Sequence, residues 1–328
     1  MRIAVFGAGA WGTALALAFA KAHEVVLWGR NAAHVADIGK LRRNDRYLPG
    51  VAVPDHLEVT ADFAHAARSA DLHLVVTPLA GLRQAVRELS VLQPDTPLIW
   101  ACKGLEAGSG RLPHEIVAEE LGAAATCGVL TGPSFAAEVA RGMPTAVTLA
   151  AADAGFAGHW VNVLHQPRFR IYANTDLVGA EIGGAVKNVM AIAAGVSDGM
   201  GFGLNARAAL ITRGLAEIAR LGTALGGRQE TLMGLAGIGD LILTCTGDLS
   251  RNRRVGLALA EGQTLTDILR DLGHVAEGVS TAREVVALAA RHDVEMPLCA
   301  AVDALLHDDA LGPREVVEQL LSREPRHE

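Results

Sequence analysis

Aromatic residues are scarce in this chain: seven Phe, four Trp and two Tyr make up only 4% of 328 residues. Any pocket must therefore be shaped mainly by small side chains and backbone. Cysteine is equally sparse. Cys102, Cys127, Cys245 and Cys299 stand far apart, with no CxxC pair and no Cys/His ligand spacing. That pattern implies no zinc or other metal site, and it points to a reducing, intracellular compartment. There is no basic excess either. Twenty-nine Lys and Arg against 36 Asp and Glu leave a formal charge of −7, which gives no general attraction to nucleic acid or anionic membrane. Beyond the N-terminal segment, no stretch reaches the ~18 uninterrupted apolar residues that a membrane span requires.

Half of the residues are hydrophobic and 20% are charged, which excludes a largely disordered or fibrous chain. The length is about twice the ~150-residue expectation for one domain, so two domains are expected. Thirty-six glycines suggest tight turns and close backbone packing. At the N-terminus, Arg2 followed by the uncharged residues 3–20 imitates a secretory signal. Against that, Gly7, Gly9 and Gly12 interrupt the run at turn-like spacing, and residues 24–29 read as a second strand. The segment is read as part of the fold.

Short β-branched runs recur at residues 2–7, 24–29, 72–77, 98–102, 126–130, 145–149 and 169–173. Helical patterns lie between most of them, at 10–21, 61–70, 79–92, 113–121, 135–141 and 154–164. Alternation of strand and helix predicts a parallel sheet with helices on both faces, an α/β doubly wound architecture. Residues 72–76 are nearly all apolar, as expected for a strand buried on both faces. After about Asn174 the strand signals stop, and 177–196, 206–225, 254–261, 265–272, 280–291, 297–307 and 313–322 read as helices. Pro313 suits a first helical turn, and Ser280 ahead of Glu284 reads as a helix start. A dinucleotide-binding domain over 1–176 and an all-helical substrate domain over 177–328 are expected, with the active site in the cleft between them.

The first turn, Gly7-Ala8-Gly9-Ala10-Trp11-Gly12, matches GxGxxG. It follows a predicted strand and opens an apolar helix, the context in which the pattern has a physical meaning. Gly7 permits the sharp turn, Gly9 lets the backbone approach a pyrophosphate, and Gly12 allows close helix–strand packing. The helix N-terminus supplies free N–H groups for the phosphates. At the end of the second strand, where an acid would hold the ribose of NAD, stand Gly29-Arg30-Asn31. An arginine there suits a 2′-phosphate and favours NADPH. A solvent-facing Arg30 would permit both NAD and NADP. A redox-sensing regulator could share all of this, so an enzyme must be argued from other residues.

Three polar constellations lie in apolar surroundings. Lys103 follows the strand ending at Cys102, where an open parallel sheet presents ligands. Lys187 and Asn188 sit inside a long helix of small apolar residues. Burial of that lysine beside another cation would lower its pKa and suit it to acid/base work. The third runs from the glycine-rich stretch around Asp240 to Ser250-Arg251-Asn252-Arg253-Arg254. Ser250 reads as an N-cap, and Ser250, Arg251 and Asn252 at a helix start compose a phosphate receptor. Asp240, read as lying in a turn, is placed to orient a substrate hydroxyl or a lysine, or to cap a helix.

With these motifs in view, the chain resembles the bacterial-type NAD(P)-dependent glycerol-3-phosphate dehydrogenases over nearly its whole length. The matching stretches are GAGAWGTALA at Gly7, WACKGLE at Trp100, TGPSFAAEVARGMPTAV at Thr131, GGAVKNVMAIAAGVSDG at Gly183, GFGLNARAALITRGLAE at Gly201, GLAGIGDLILTCTGDLSRNRRVG at Gly234 and VAEG at Val275. The resemblance implies a Rossmann-like N-terminal domain, and interconversion of sn-glycerol 3-phosphate and glycerone phosphate with NAD(P)H for phospholipid synthesis. It also implies a cytoplasmic enzyme, commonly a homodimer. Lys187 falls on the proton acceptor of the family. Lys103, Gly132, Ser134, Asp240, Ser250, Arg251 and Asn252 fall on substrate-contacting positions. Trp11, Arg30, Lys103, Ala136, Arg251, Val275 and Glu277 fall on cofactor-contacting ones, and Tyr47 matches another. Ala10 departs from a serine common in the family, leaving a backbone N–H to serve there. The glycines at 7, 9, 12, 132, 183, 184, 237 and 239 are expected where backbone meets ligand. The alternative is another NAD(P)-dependent reductase acting on a small hydroxy or keto acid.

Overall fold

Each of the seven β-branched runs forms a strand: β1 Arg2–Phe6, β2 Glu24–Trp28, β6 Leu72–Val75, β7 Leu98–Trp100, β8 Cys127–Thr131, β9 Thr145–Ala150 and β10 Phe169–Asn174. Three more strands carry no clear signal in the sequence. β3 Arg43–Asn44 and β4 Leu48–Ala52 make a small antiparallel hairpin, and β5 Glu58–Thr60 adds an edge strand. β3 and β5 are short and all three lie partly in solvent, so none shows the apolar run of a buried strand. The main sheet has the order β10-β9-β8-β7-β6-β1-β2-β5. In this computed structural model, residues 1–273, 275–308 and 312–321 are described.

Helices α1 Ala10–Phe19, α2 Ala32–Leu41, α3 Phe63–Arg68, α4 Leu82–Leu92, α5 Pro113–Leu121, α6 Ala136–Ala140 and α7 Ala154–Leu164 connect the strands. α2 escapes the sequence pattern because only Val35 and Ile38 are buried along it. Within the main sheet the described strand pairs are parallel with one exception, since β8 and β9 run antiparallel. The physical reason lies in α6. Its five residues span about 7.5 Å, against about 16 Å for a five-residue strand, too little to carry the chain back along the sheet. α1 is buried at every residue from Gly12 to Phe19, and Phe19 meets Phe169 edge-on at 5.8 Å.

His73 lies in β6, 1% exposed, with its Nε2 3.0 Å from the Ala67 carbonyl. Burial holds the imidazole below its usual pKa of 6.5. The unfolded chain therefore takes up this proton first as the pH falls. The contribution of His73 is complete above about pH 6.5 and declines as the pH drops through the lowered folded value. His73→Gln keeps a donor for Ala67 and cannot titrate. Its melting temperature is expected to fall less steeply than that of the parent between pH 6.5 and 5, as measured by circular dichroism. Parallel profiles would remove His73 from the acid sensitivity.

From Leu177 onward the described chain is helical: α8 Leu177–Gly199, α9 Gly203–Ala224, α10 Gln229–Leu232, α11 Asp240–Thr246, α12 Arg251–Ala260, α13 Leu265–Leu272, α14 Glu277–Arg291, α15 Pro297–His307 and α16 Pro313–Leu321. The end expected for the last helix, Ser322, lies outside the described residues. α8 is long and apolar enough to cross a membrane, but 89% of its apolar stretch is buried within the protein. By internal contacts the chain divides into two units, Met1–Lys103 with Leu112–Ala180, and Gly104–Arg111 with Glu181–Glu328.

Glycine lets the helices of the second unit touch backbone to backbone. A Cβ on Gly256 would lie 2.0 Å from the Ile192 carbonyl oxygen, and one on Gly195 would lie 2.1 Å from that of Arg253. Gly183 and Gly237, expected beside ligand, meet protein instead, their Cβ positions falling 2.4 Å from Ala236 O and 1.9 Å from Leu232 O. Ser280 does not start a helix. α14 begins three residues earlier, and the Ser280 hydroxyl donates back to the Glu277 carbonyl. The Ala276 N-cap has no side-chain bond, and the Gly278 N–H is accepted by Asn252 Oδ1 of α12 at 3.0 Å. This helix start is set by a tertiary contact, so the local sequence does not mark it.

Candidate active site

In the first unit, β1, β2, β6, β7 and β8 run parallel, so their carboxyl ends share one edge of the sheet. Such an edge is where open α/β sheets take ligands. Gly7 follows β1 at φ 129°, and a Cβ there would sit 2.6 Å from the Val76 carbonyl. A Cβ on Gly12 would sit 1.8 Å from Gly7 O, whereas one on Gly9 would meet nothing within 4 Å. The loop is thus closed against protein on two sides and open at Gly9. α1 starts at Ala10 with no side-chain cap, leaving its first N–H groups for an anion. This cradle fits a dinucleotide pyrophosphate. Trp11 packs half-buried against the core.

The end of β2 fits the same ligand. A Cβ on Gly29 would meet Val35 Cγ2 at 2.7 Å and Ala8 Cβ at 2.9 Å, so any side chain there would have to displace one of them. Arg30 is exposed beside it, and Asn31 caps α2 by accepting the His34 N–H at 3.0 Å. Tyr47, in the β3–β4 turn, meets His34 edge-on at 5.2 Å, with the Arg46 guanidinium 5.2 Å from its ring centre.

Three of the expected substrate contacts come together after β7 and β8. Lys103 Nζ donates to the Gly132 carbonyl at 3.4 Å, and Ser134 Oγ donates to the same oxygen at 2.9 Å. Gly132 holds φ 131°, a conformation that favours glycine. Ala136 is the first residue of α6, on the same connection.

In the second unit, Lys187 projects from the middle of α8 and is 7% exposed. Its Nζ donates to Asp240 Oδ1 at 2.5 Å and to Thr244 Oγ1 at 2.9 Å. The Thr244 hydroxyl donates in turn to the Asp240 carbonyl at 2.6 Å, so its oxygen faces the amine as an acceptor. Asp240 is 1% exposed and opens α11 directly after a π-helical turn, Leu235–Gly239. It is therefore helical rather than part of an irregular turn, and π turns recur at functional sites. Asp240 sets a carboxylate against the buried amine, and a neighbouring carboxylate in general favours the charged form of an amine. Nothing local marks Thr244, whose place four residues after Asp240 gains meaning only once α11 exists. Burial pushes the nearby Cys245 thiol up to about 12, which keeps it protonated and outside acid/base chemistry near neutral pH.

Ser250 caps α12, its Oγ accepting the Arg253 N–H at 3.2 Å. Arg251 is exposed at the first position of the helix. The side chain of Asn252 is also engaged by protein: Nδ2 donates one hydrogen to Asn188 Oδ1 at 2.9 Å, and Oδ1 accepts from Gly278. It ties α12 to α8 and to the start of α14, where Glu277 stands, with Val275 half-exposed just before. Arg253 is buried against Asp198 at 2.8 Å and Asp248 at 3.0 Å, which steadies the same turn. Among the described residues, no group of three His, Cys, Asp or Glu side chains is arranged to hold a metal ion.

Residues 2–157 match the family model described as NAD-dependent glycerol-3-phosphate dehydrogenase N-terminus, and residues 176–318 match its C-terminus counterpart. A glycerol-3-phosphate dehydrogenase [NAD(P)+] of Aromatoleum aromaticum is 82% identical over the full length of both chains. That of Dechloromonas aromatica is 60% identical over 100% of this chain and 99% of its own. The crystal structure of glycerol-3-phosphate dehydrogenase from Coxiella burnetii superposes with a TM-score of 0.94 at 45% identity, covering 98% of this chain and 99% of that one. The Rossmann-like sheet, the helical second unit and the matched sequence together place this chain in the NAD-dependent glycerol-3-phosphate dehydrogenase family.

Proposed function

We propose that this chain interconverts sn-glycerol 3-phosphate and glycerone phosphate (dihydroxyacetone phosphate) with NAD or NADP as cofactor. The observation that carries the proposal is a lysine buried in an apolar helix and bonded to both a carboxylate and a hydroxyl. When bound, the nicotinamide cofactor gives or takes the hydride at C2 of the substrate. Lys187 Nζ donates a proton to the C2 oxygen on reduction and takes it back on oxidation. Asp240 and Thr244 aim that amine. Lys103 adds positive charge near the same oxygen, which lowers the cost of charge building up there. Arg251, Ser250 and the first amides of α12 hold the phosphate, assisted by the second amide hydrogen of Asn252. Gly132 and Ser134 complete the substrate contacts. Gly7, Gly9, Ala10, Trp11, Gly12, Arg30, Tyr47, Ala136, Val275 and Glu277 hold the cofactor.

The test is direct. NADPH absorbance is followed with glycerone phosphate, with NADH in its place, and with unphosphorylated keto acids. Oxidation with glycerone phosphate alone is expected; none with that substrate overturns the proposal. The other reductase reading is not favoured, since an 82% identical relative carries the glycerol-3-phosphate dehydrogenase name.

NADPH is the favoured cofactor of this reading, because the end of β2 carries Arg30 and no acid. Arg30→Ala is expected to raise KM for NADPH about 10- to 100-fold, the effect of a lost charged hydrogen bond. KM for NADH should change little. Equal effects on both cofactors would show that Arg30 does not read the 2′-phosphate. The reading also includes a cytoplasmic homodimer that supplies glycerol 3-phosphate to phospholipid synthesis. Light scattering should give twice the mass of one chain, and cell fractionation should leave the protein with the cytosol.

A further inference from the structure

The β3–β4 hairpin holds one fully buried amide with no part in the site so far. Asn44 is 1% exposed, in a segment otherwise rich in charge. Its Nδ2 donates to the Ala8 carbonyl at 3.0 Å and to Thr13 Oγ1 at 2.7 Å. Ala8 is the second residue of the glycine-rich loop, and Thr13, 1% exposed, lies in the first turn of α1. One side chain thus pins the loop to the helix that follows it. Oδ1 of the same amide is buried with no hydrogen-bond partner. Leaving such an atom unpaired is costly, so the two Nδ2 bonds must outweigh it.

The hairpin gives the amide a rigid base. Arg42, at φ 48°, receives the Val53 N–H on its carbonyl, and its guanidinium donates to the carbonyls of Val53, Pro54 and Leu57. Asn44 pairs with Leu48 across the hairpin. In a trans peptide the C=O and N–H point opposite ways, and no cis peptide occurs among the described residues. With the Ala8 carbonyl drawn toward the hairpin, the Gly9 N–H is turned away from it. Gly9 is the point where the loop is open.

We infer that Asn44 is a positioning residue for cofactor binding: its amide fixes the Ala8–Gly9 peptide plane and the first turn of α1, so that their N–H groups are presented to the dinucleotide pyrophosphate. The inference rests on the dinucleotide reading of the loop. Asn44 acts through Ala8 and Thr13, and the chemistry at Lys187 does not depend on it.

The experiment measures NADPH affinity by fluorescence titration of the enzyme without substrate, beside steady-state kinetics and melting temperature. Asn44→Asp has the same shape but cannot donate to either acceptor, and its charge repels the Ala8 oxygen. Its Kd and KM for NADPH are expected to rise about tenfold or more, the effect of losing an ordinary hydrogen bond. At saturating NADPH, kcat and the KM for glycerone phosphate should stay within about threefold of the parent, well short of that loss. Thr13→Val removes one acceptor at constant shape. It serves where Asn44→Asp does not fold, and should raise Kd by about threefold, a fraction of one such bond. NADPH binding as tight as the parent in the folded variants, or a fall in kcat with Kd unchanged, overturns the assignment. Failure of the parent itself to bind NADPH overturns the dinucleotide reading, and the inference with it.

Discussion

Lys187→Met is expected to lower kcat by about 10²- to 10⁴-fold, the usual range for a lost general acid or base. NADPH should still bind, because Lys187 is not among the residues read as holding the cofactor. The same change has a second, separable effect. Lys187 and Asp240 are 7% and 1% exposed, and removing one partner of a buried pair leaves an uncompensated charge. That costs about 3–5 kcal/mol. Loss of activity in Lys187→Met could therefore reflect damage to the fold alone. The double variant Lys187→Met/Asp240→Asn resolves the two effects, since it removes both charges. It should recover most of the lost stability, as far as about 1 kcal/mol below the parent, yet remain as inactive as the single variant. Denaturant unfolding and steady-state rates measured together decide the matter. Unchanged turnover in Lys187→Met removes the lysine from proton transfer. A double variant no more stable than Lys187→Met shows that the pair is not coupled in stability.

The second large effect separates protein packing from ligand contact within one loop. At Gly12 a Cβ would lie 1.8 Å from the backbone oxygen of Gly7, which cannot yield without opening the turn. Gly12→Ala should cost at least about 1–3 kcal/mol by overpacking and should lose NADPH binding as well. At Gly9 a Cβ would meet nothing within 4 Å, so Gly9→Ala should melt at nearly the parent temperature. If a pyrophosphate approaches there, Gly9→Ala should still weaken NADPH binding about 10- to 100-fold, by disturbing charge-assisted N–H contacts. Thermal melts paired with NADPH titration read both quantities. Full affinity in Gly9→Ala would place the phosphates elsewhere.

How far these sites are visible in the sequence depends on what holds each one. The strands at 72–75 and 98–100 are buried throughout, so their apolar runs announce them. Lys187 stands out because an amine inside an apolar helix is unusual. Ser250 is legible because its cap bond reaches only three residues, to Arg253. By contrast, Asp240 meets Lys187 across 53 residues, and Asn252 meets Gly278 across 26. Asn44 reaches Ala8 across 36 residues, from a hairpin whose partly exposed strands carry little pattern. The glycines show the same division. Gly7, Gly9 and Gly12 are readable from their spacing, whereas Gly183 and Gly237 look like loop or site residues until the helices they let together are seen.

By itself, then, the sequence determined the alternation of strand and helix, the dinucleotide turn, the family likeness and the residues with chemical capacity. Each depends on local spacing or on the burial period of one element, which the chain carries along its length. Tertiary structure alone decided the antiparallel return at β9, the carboxylate partner of Lys187, the occupied amide of Asn252 and the start of α14. Those follow from pairings between distant segments, which have no local period and arise only when packing brings the backbones into contact.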